Sequence, residues 1–381
     1  MTQTALCPVT DGNLTQSVQA LLHTMLALDS IQAILVPQHL PGKSMVMPVL
    51  VSDPERLERV DPFAPAFPMN AAKLVSRLSR KPAGGKIAVV LRPCEIRAYI
   101  ELVKLKQGIP DDLILVGIDC PGAFTNTDYL RFAAADDALA TNAFLKTALS
   151  GDGRFDGGID LSPACKVCEY PVPDGADLLI GIFGLDSDRQ FLLAAQTTKG
   201  DALFEQLKLT PAAPPDARAA AVEQRVKTRT DARDAMFAET RERTENLEKL
   251  SGYLAACVNC YNCRVACPVC YCRECVFVTD VFDHEPFQYL RWARRKGAVK
   301  MPTDTVFYHL TRLAHMSTAC VGCGQCSNAC PNDIPLMELF HTTAHVTQAA
   351  FDYQAGRSLD EAPPLAVFRE NEYAEVTGGK H

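Results

Sequence analysis

The sequence predicts an α/β domain with a mixed sheet and flanking helices, then a helical linker, then an α+β, partly irregular module built on cysteines. Three observations carry that expectation. Short, fully apolar runs at residues 87–91 and 113–118 are separated by an amphipathic stretch, the strand–helix–strand order of a parallel α/β unit. Residues 216–250 alternate Arg and Glu densely, with apolar residues at helical spacing. Two cysteine runs, Cys257 to Cys267 and Cys320 to Cys330, each read Cys-x2-Cys-x2-Cys-x3-Cys-Pro.

Taken in order, Leu14, Val18, Leu21, Leu22, Met25 and Leu26 repeat with helical period over residues 14–28, and a strand is expected at 31–36. Residues 37–48 read as a loop between prolines, followed by a short strand at 49–51. The proline-interrupted stretch 61–68 leads into a helix at about 70–78. The strand at 87–91 ends at Arg92-Pro93-Cys94-Glu95, and a helix with Ile96, Ile100, Leu102 and Leu105 on its apolar face follows. The strand at 113–118 ends at Asp119-Cys120-Pro121-Gly122. Cys165-Lys-Val-Cys168 precedes two further strands at 177–183 and 191–196. Residues 1–210 form this first domain, closed by a proline-rich linker after Thr210.

The charged helix or helix pair of the linker, 211–250, is expected to present its charges to water. The cysteine module spans 251–335, with an extension at 268–319 between the two runs. That extension carries Trp292-Ala-Arg294-Arg295-Lys296, read as a solvated run, and a helix at 304–316 with Val306, Leu310 and Leu313 on one face. Residues 336–381 give a last helix at 336–354 and a tail containing Pro363-Pro364 that wraps the outside.

A chain of 381 residues can bury two to three cores, and 48% hydrophobic with 22% charged residues is ordinary for a globular protein. The net charge of -7 argues against nucleic acid or anionic membrane as partners. No charged-then-apolar leader opens the chain, and the longest apolar runs, such as 178–183, are strand-sized, so no membrane span is expected. Most of the sixteen cysteines fall in ligand-spaced runs, which points to a reducing cytoplasm rather than to disulfides.

Each run matches the two-cluster ferredoxin pattern, in which three cysteines hold one 4Fe-4S cube and the fourth reaches the other. On that rule Cys257, Cys260, Cys263 and Cys330 hold one cluster, and Cys320, Cys323, Cys326 and Cys267 hold its partner. Zinc sites usually show two CxxC pairs, not two matched four-cysteine runs with trailing prolines. Cys94, Cys120, Cys165 and Cys168 make a third set of four at strand ends, where open α/β sheets bind ligands. Taken singly, Cys94 or Cys120 could equally be a small buried apolar residue. Cys270, Cys272 and Cys275 form a further group, either an extra metal centre completed by His284 or Cys7, or thiols lining the first cluster's pocket.

With these motifs in place the chain resembles the beta subunits of coenzyme F420-dependent hydrogenases and formate dehydrogenases. The resemblance covers about residues 10–210 and the ferredoxin module at 250–335, through Arg92-Pro93-Cys94-Glu95-Ile96-Arg97, Gly117-Ile118-Asp119-Cys120, Cys165-Lys-Val-Cys168, Gly181, Gly184 and Thr197-Thr-Lys-Gly200. It implies a flavin-type α/β domain in which Cys94, Cys120, Cys165 and Cys168 hold a 4Fe-4S cluster beside FAD, with hydride exchanged with the deazaflavin coenzyme. Two departures stand out. The family's glycine pair before its first helix is here only Asp11-Gly12-Asn13, and its glycine-serine turn near the flavin is replaced by residues 61–68. No GxGxxG fingerprint is present.

The expected function is an oxidoreductase subunit passing electrons between FAD with a reduced coenzyme (F420 or NAD(P)H) and 4Fe-4S clusters, and on to a catalytic alpha subunit, most simply that of a formate dehydrogenase. No molybdenum, nickel or nucleophilic-triad signal allows this chain to oxidise formate or hydrogen alone. The rival reading is a flavin-free iron–sulfur wire that docks two other redox subunits. A colourless regulatory zinc protein is a third.

Overall fold

The computed structural model describes residues 3–41, 45–133, 137–150 and 155–366. Among the described residues seven strands form one mixed sheet: β1 (Thr4–Pro8), β2 (Ile31–His39), β3 (Val46–Val51), β4 (Lys86–Leu91), β5 (Leu113–Ile118), β6 (Leu178–Gly181) and β7 (Gln190–Ala195). Their order is β1-β7-β6-β5-β4-β2-β3. The central four, β2, β4, β5 and β6, run parallel, and β3, β7 and β1 join antiparallel at the edges.

The centre is apolar because both faces are covered. Ala88 and Val90 of β4 enter one core with Ile114 and Val116 of β5, whereas Ile87, Val89, Leu113 and Leu115 enter the other. The helix Leu14–Leu26 covers the first face, its start capped by Asn13 accepting from the Gln16 amide at 3.1 Å. The helices Ala72–Leu78 and Pro93–Lys104 cover the second face. That second core continues into the cysteine module through Tyr308, Val321, Leu336 and Phe340, so the two modules share one apolar interior.

Three expectations change. Residues 37–48 are not one loop: Pro37 ends up inside β2 and Pro48 inside β3, directly opposite each other. Two prolines facing across an edge pair lose no amide that the ladder requires. Strand β1, which the sequence does not signal, places Cys7 opposite Phe191 in the sheet core, away from the cysteine runs. There its thiol is a small buried group, pushed up to about 11 by burial. The charged segment forms the helices Ala217–Thr244 and Leu247–Tyr253, and its arginines do not merely face water.

The last long helix, Leu336–Ala350, lies against Ala217–Thr244, and the chain then turns back onto the first module. The Tyr353 hydroxyl donates to Glu101 at 2.6 Å and the Gly356 amide donates to the same carboxylate at 2.7 Å, so the turn after this helix is buried against the first module. Residues 367–381 lie outside the described residues. Among the described residues no helix is long and apolar enough to cross a membrane.

Candidate functional site

Cys94 and Cys120 stand where the sheet chemistry predicts a site, just beyond the carboxyl ends of the adjacent parallel strands β4 and β5. Pro93 starts the helix after β4, its missing amide costing nothing at that position. Glu95 then accepts from the backbone amides of Arg92 at 2.9 Å and Ala71 at 2.8 Å, fixing the turn that presents Cys94. Beyond β5, the Cys120 amide donates to the Pro171 carbonyl at 2.8 Å and the Ala123 amide donates to the Cys165 sulfur at 3.3 Å. These bonds fold the segment holding Cys165 and Cys168 over Cys120. Gly122, at φ +123°, makes the fold-over possible, since a side chain there would press on Leu161.

The four thiols share an electrostatic neighbourhood. Burial is the main cause of raised pKa values at Cys94, Cys120 and Cys168, the last pushed up to about 12. Cys94 also feels Cys323, Cys120 and Cys168, and Cys120 feels Cys165. Burying thiolates this deeply is unfavourable unless cationic iron neutralises them, so the donor set fits a cluster. All sixteen cysteines are free thiols.

The long helix supplies what the charge pattern alone did not reveal. Arg218, Arg225, Arg229 and Arg233 fall on one face at spacings of seven, four and four. Arg218 pairs with Asp119 at 2.6 and 3.0 Å, and Arg229 donates to the Pro121 carbonyl at 2.7 Å. Arg233 pairs with Glu169 at 3.0 Å, and Arg225 donates to the Ala148 carbonyl at 2.9 Å. The helix therefore clamps the loops around Cys120 and Cys168. The spacing on one face was the available signal.

The cysteine module brings its runs together in crossed fashion. One cavity is lined by Cys257, Cys260 and Cys263 of the first run and by Cys330 of the second. Cys320, Cys323 and Cys326 in turn all feel the charge of Cys267. If Cys330 closes the first-run set, Cys330→Ala should cost the cluster of Cys257, Cys260 and Cys263 and spare that of Cys320, Cys323 and Cys326. Cluster-resolved EPR showing the reverse loss would refute the crossing.

The second run docks on the third set. Gly324, at φ +77°, lies so close to Ala164 that an added Cβ would sit 2.4 Å from the alanine methyl. Gln325 and Asn328 both donate to the Phe67 carbonyl, at 2.9 and 3.2 Å, holding the loop 61–68 from the other side. Arg92 holds the same loop from below through the carbonyls of Ala64 and Ala66, both at 2.7 Å. A cleft of about 380 Å³ opens between the modules beside Cys323; its lining includes Asp128, Asp333 and Glu338 and no lysine, arginine or histidine.

The helix Thr305–Met316 of the extension packs against the first run, placing Tyr308, His309 and Arg312 beside Cys257 and Cys263. Of the remaining cysteines, Cys270 and Cys272 are neighbours, and Cys275 lies near Tyr261. Cys270 lies near Cys267 and Lys73, Cys272 is exposed, and His284 packs against Tyr289 and Trp292. Among the described residues no group of three or more His, Cys, Asp or Glu stands close enough for one metal ion. A single zinc draws its sulfurs to within about 4 Å of each other, at about 2.3 Å from the metal, whereas a cubane spreads them over its corners.

Residues 253–334 match the family described as 4Fe-4S dicluster domain, and residues 84–210 match the family described as the carboxyl-terminal part of the coenzyme F420 hydrogenase/dehydrogenase beta chain. The beta subunit of the F420-dependent formate dehydrogenase of Methanocaldococcus jannaschii is 26% identical over 341 residues, covering 84% of this chain and 85% of that protein. The beta subunit of F420-dependent formate dehydrogenase 1 of Methanococcus maripaludis is 28% identical over 307 residues, covering 73% and 75%. A chain of the F420-reducing [NiFe] hydrogenase complex of Methanosarcina barkeri superposes with a TM-score of 0.46 at 15% identity, covering 65% of this chain and 94% of that one. The chain carries the carboxyl-terminal domain of these beta subunits and the dicluster domain, is homologous to the beta subunits of F420-dependent formate dehydrogenases, and is an electron-transfer subunit of an oxidoreductase.

Proposed function

We propose that this subunit relays electrons through an FAD and three 4Fe-4S clusters, the flavin taking a hydride from a reduced coenzyme, F420 or NAD(P)H, and releasing single electrons through the clusters to a catalytic alpha subunit that acts on formate. The observation that carries the reading is that the fold brings the thiol sets together: Cys257, Cys260, Cys263 and Cys330 line one cavity, and Gly324, beside Cys323, packs on Ala164, beside Cys165. Cys94 feels Cys323, Cys323 feels Cys267, and Cys267 leads back along its own run to Cys263 and Cys257, which feels Cys330. Cys94, Cys120, Cys165 and Cys168 would hold one cluster, Cys267, Cys320, Cys323 and Cys326 the next, and Cys257, Cys260, Cys263 and Cys330 the last. Each such cluster supplies one-electron exchange when bound.

The chain's own residues insulate and align these sets. Arg229 and Arg92 place positive charge beside Cys120, offsetting the negative charge that thiolate ligation brings. Gly324 and the Phe67 carbonyl contacts keep the second run pressed on the first module. Residues 1–210 and 251–335 are then the two cluster-bearing domains, the 211–250 helices are a clamp between them, and the free thiols suit a reducing cytoplasm.

A second reading, the relay without flavin, is favoured by one observation. The cleft that reaches Cys323 is a poor seat for FAD, because a pyrophosphate there would face three carboxylates and no cation. Anaerobic reduction of the purified protein by reduced F420, NADH and NADPH in turn, with released flavin quantified on the same sample, separates the two. Stoichiometric flavin with rapid bleaching by one donor establishes the flavoprotein reading. Absence of flavin, with clusters bleached only by dithionite, establishes a relay fed by a neighbouring subunit.

A further inference from the structure

Within a span of five residues, the helix Thr305–Met316 aims three polar side chains at thiols of the first run. Arg312 Nη1 donates to Cys263 Sγ at 3.1 Å, the Tyr308 hydroxyl lies 3.5 Å from the same sulfur, and His309 Nε2 lies 3.4 Å from Cys257 Sγ. All three side chains are buried, His309 completely. A ligating thiolate can only accept, so Tyr308 and His309 must be the donors, which puts the imidazole hydrogen on Nε2. Lys300 adds a further cation, its ammonium 2.8 Å from the Cys257 carbonyl.

The first run also takes a backbone amide, Asn259 donating to Cys257 Sγ at 3.4 Å, and the third set also has cations nearby, Arg92 and Arg229 beside Cys120; what distinguishes the first run is the side-chain donors placed on its sulfurs. Cys320 and Cys323 receive backbone amides from Gly322 and Gln325, and Cys120 and Cys165 receive them from Gly122 and Ala123. The Arg312 charge also reaches Cys267 and Cys326, but its hydrogen bonds go to Cys263. Cys260 is exposed, so the first-run set also has the readiest access to water.

We propose that Tyr308, His309 and Arg312 tune the relay, making the first-run centre the most readily reduced of the three and the surface end at which single electrons collect. Reduction adds one negative charge to a cluster, and donors or cations on its sulfurs stabilise that charge. These are positioning residues, acting through the cysteines they touch. The inference rests on the cluster reading above and adds a direction to it: electrons run downhill from the set buried under the sheet toward the exposed run.

The test is an EPR-monitored potentiometric titration of the anaerobically purified full chain, wild type against Tyr308→Phe and Arg312→Met, with iron determined on each sample. Cys260→Ser identifies the first-run signal by perturbing it. The signal so identified should be the first reduced as the potential is lowered; in Tyr308→Phe its midpoint should move to lower potential while the other two hold, and in Arg312→Met it should move down furthest, with a smaller downward move of the second-run signal whose Cys326 and Cys267 also feel Arg312. Tyr308→Phe removes only a hydroxyl and keeps the ring, so it reads tuning without loss of packing. A first-run signal that is not the first reduced, or a midpoint unmoved in Tyr308→Phe at full iron content, would overturn the inference and leave the cluster reading intact. Iron far below twelve per chain in the wild type, about four per cubane, would overturn the cluster reading and this inference with it.

Discussion

Cys94→Ala should remove about four irons per chain and leave the other clusters in place. Cys94 is the member of its set that faces the second run, and its thiol lies deep enough that burial dominates its raised pKa. A cube left with three thiolates at this site has no replacement ligand close by among the described residues, since the adjoining Glu95 carboxylate is already bonded to the Arg92 and Ala71 amides. Iron and acid-labile sulfide on the anaerobically purified variant check the loss. Unchanged iron would remove the third set from the relay.

Asp119→Ala should destabilise the fold by about 3–5 kcal/mol, the cost of breaking a buried ion pair from one side. Asp119 is completely buried directly after β5. It accepts from the Ile182 and Phe183 amides at 2.8 and 3.0 Å and from both Arg218 nitrogens. Removing the carboxylate strands two amides and a guanidinium that is only 12% exposed. Gly184 adds rigidity here, since a side chain would collide with the Ala217 carbonyl at 2.6 Å. The denaturant midpoint of the cluster-loaded protein is the measurement, and a loss below about 1 kcal/mol would mean that the long helix is not anchored through this pair.

Much of this is legible in the sequence, because cluster ligation imposes spacing and buried parallel strands impose continuous apolar runs. The strand at 113–118 is legible to the residue, and the alternation between two cores explains why no polar position interrupts it. The spacing of the runs at Cys257 and Cys320 leads one to expect a crossed pairing, and the cavity lined by Cys257, Cys260, Cys263 and Cys330 accords with it. What stays hidden depends on long-range contacts. The arginines of Ala217–Thr244 look solvated in one dimension, because nothing local distinguishes a guanidinium facing water from one reaching a carbonyl about a hundred residues away. Tyr308, His309 and Arg312 sit in a segment that reads as an ordinary amphipathic helix, and only the packing turns their polar face onto sulfur. Pro37 and Pro48 mislead for the opposite reason: proline signals a loop unless its missing amide faces another proline across an edge pair.

The most direct test of the account is the cluster count, taken as iron, acid-labile sulfide and the EPR of the fully reduced wild-type protein. Three sets of four thiols predict about twelve irons and as many sulfides per chain, with interacting signals from three one-electron centres. About eight irons would confine the clusters to the two cysteine runs and contradict a relay that begins at Cys94.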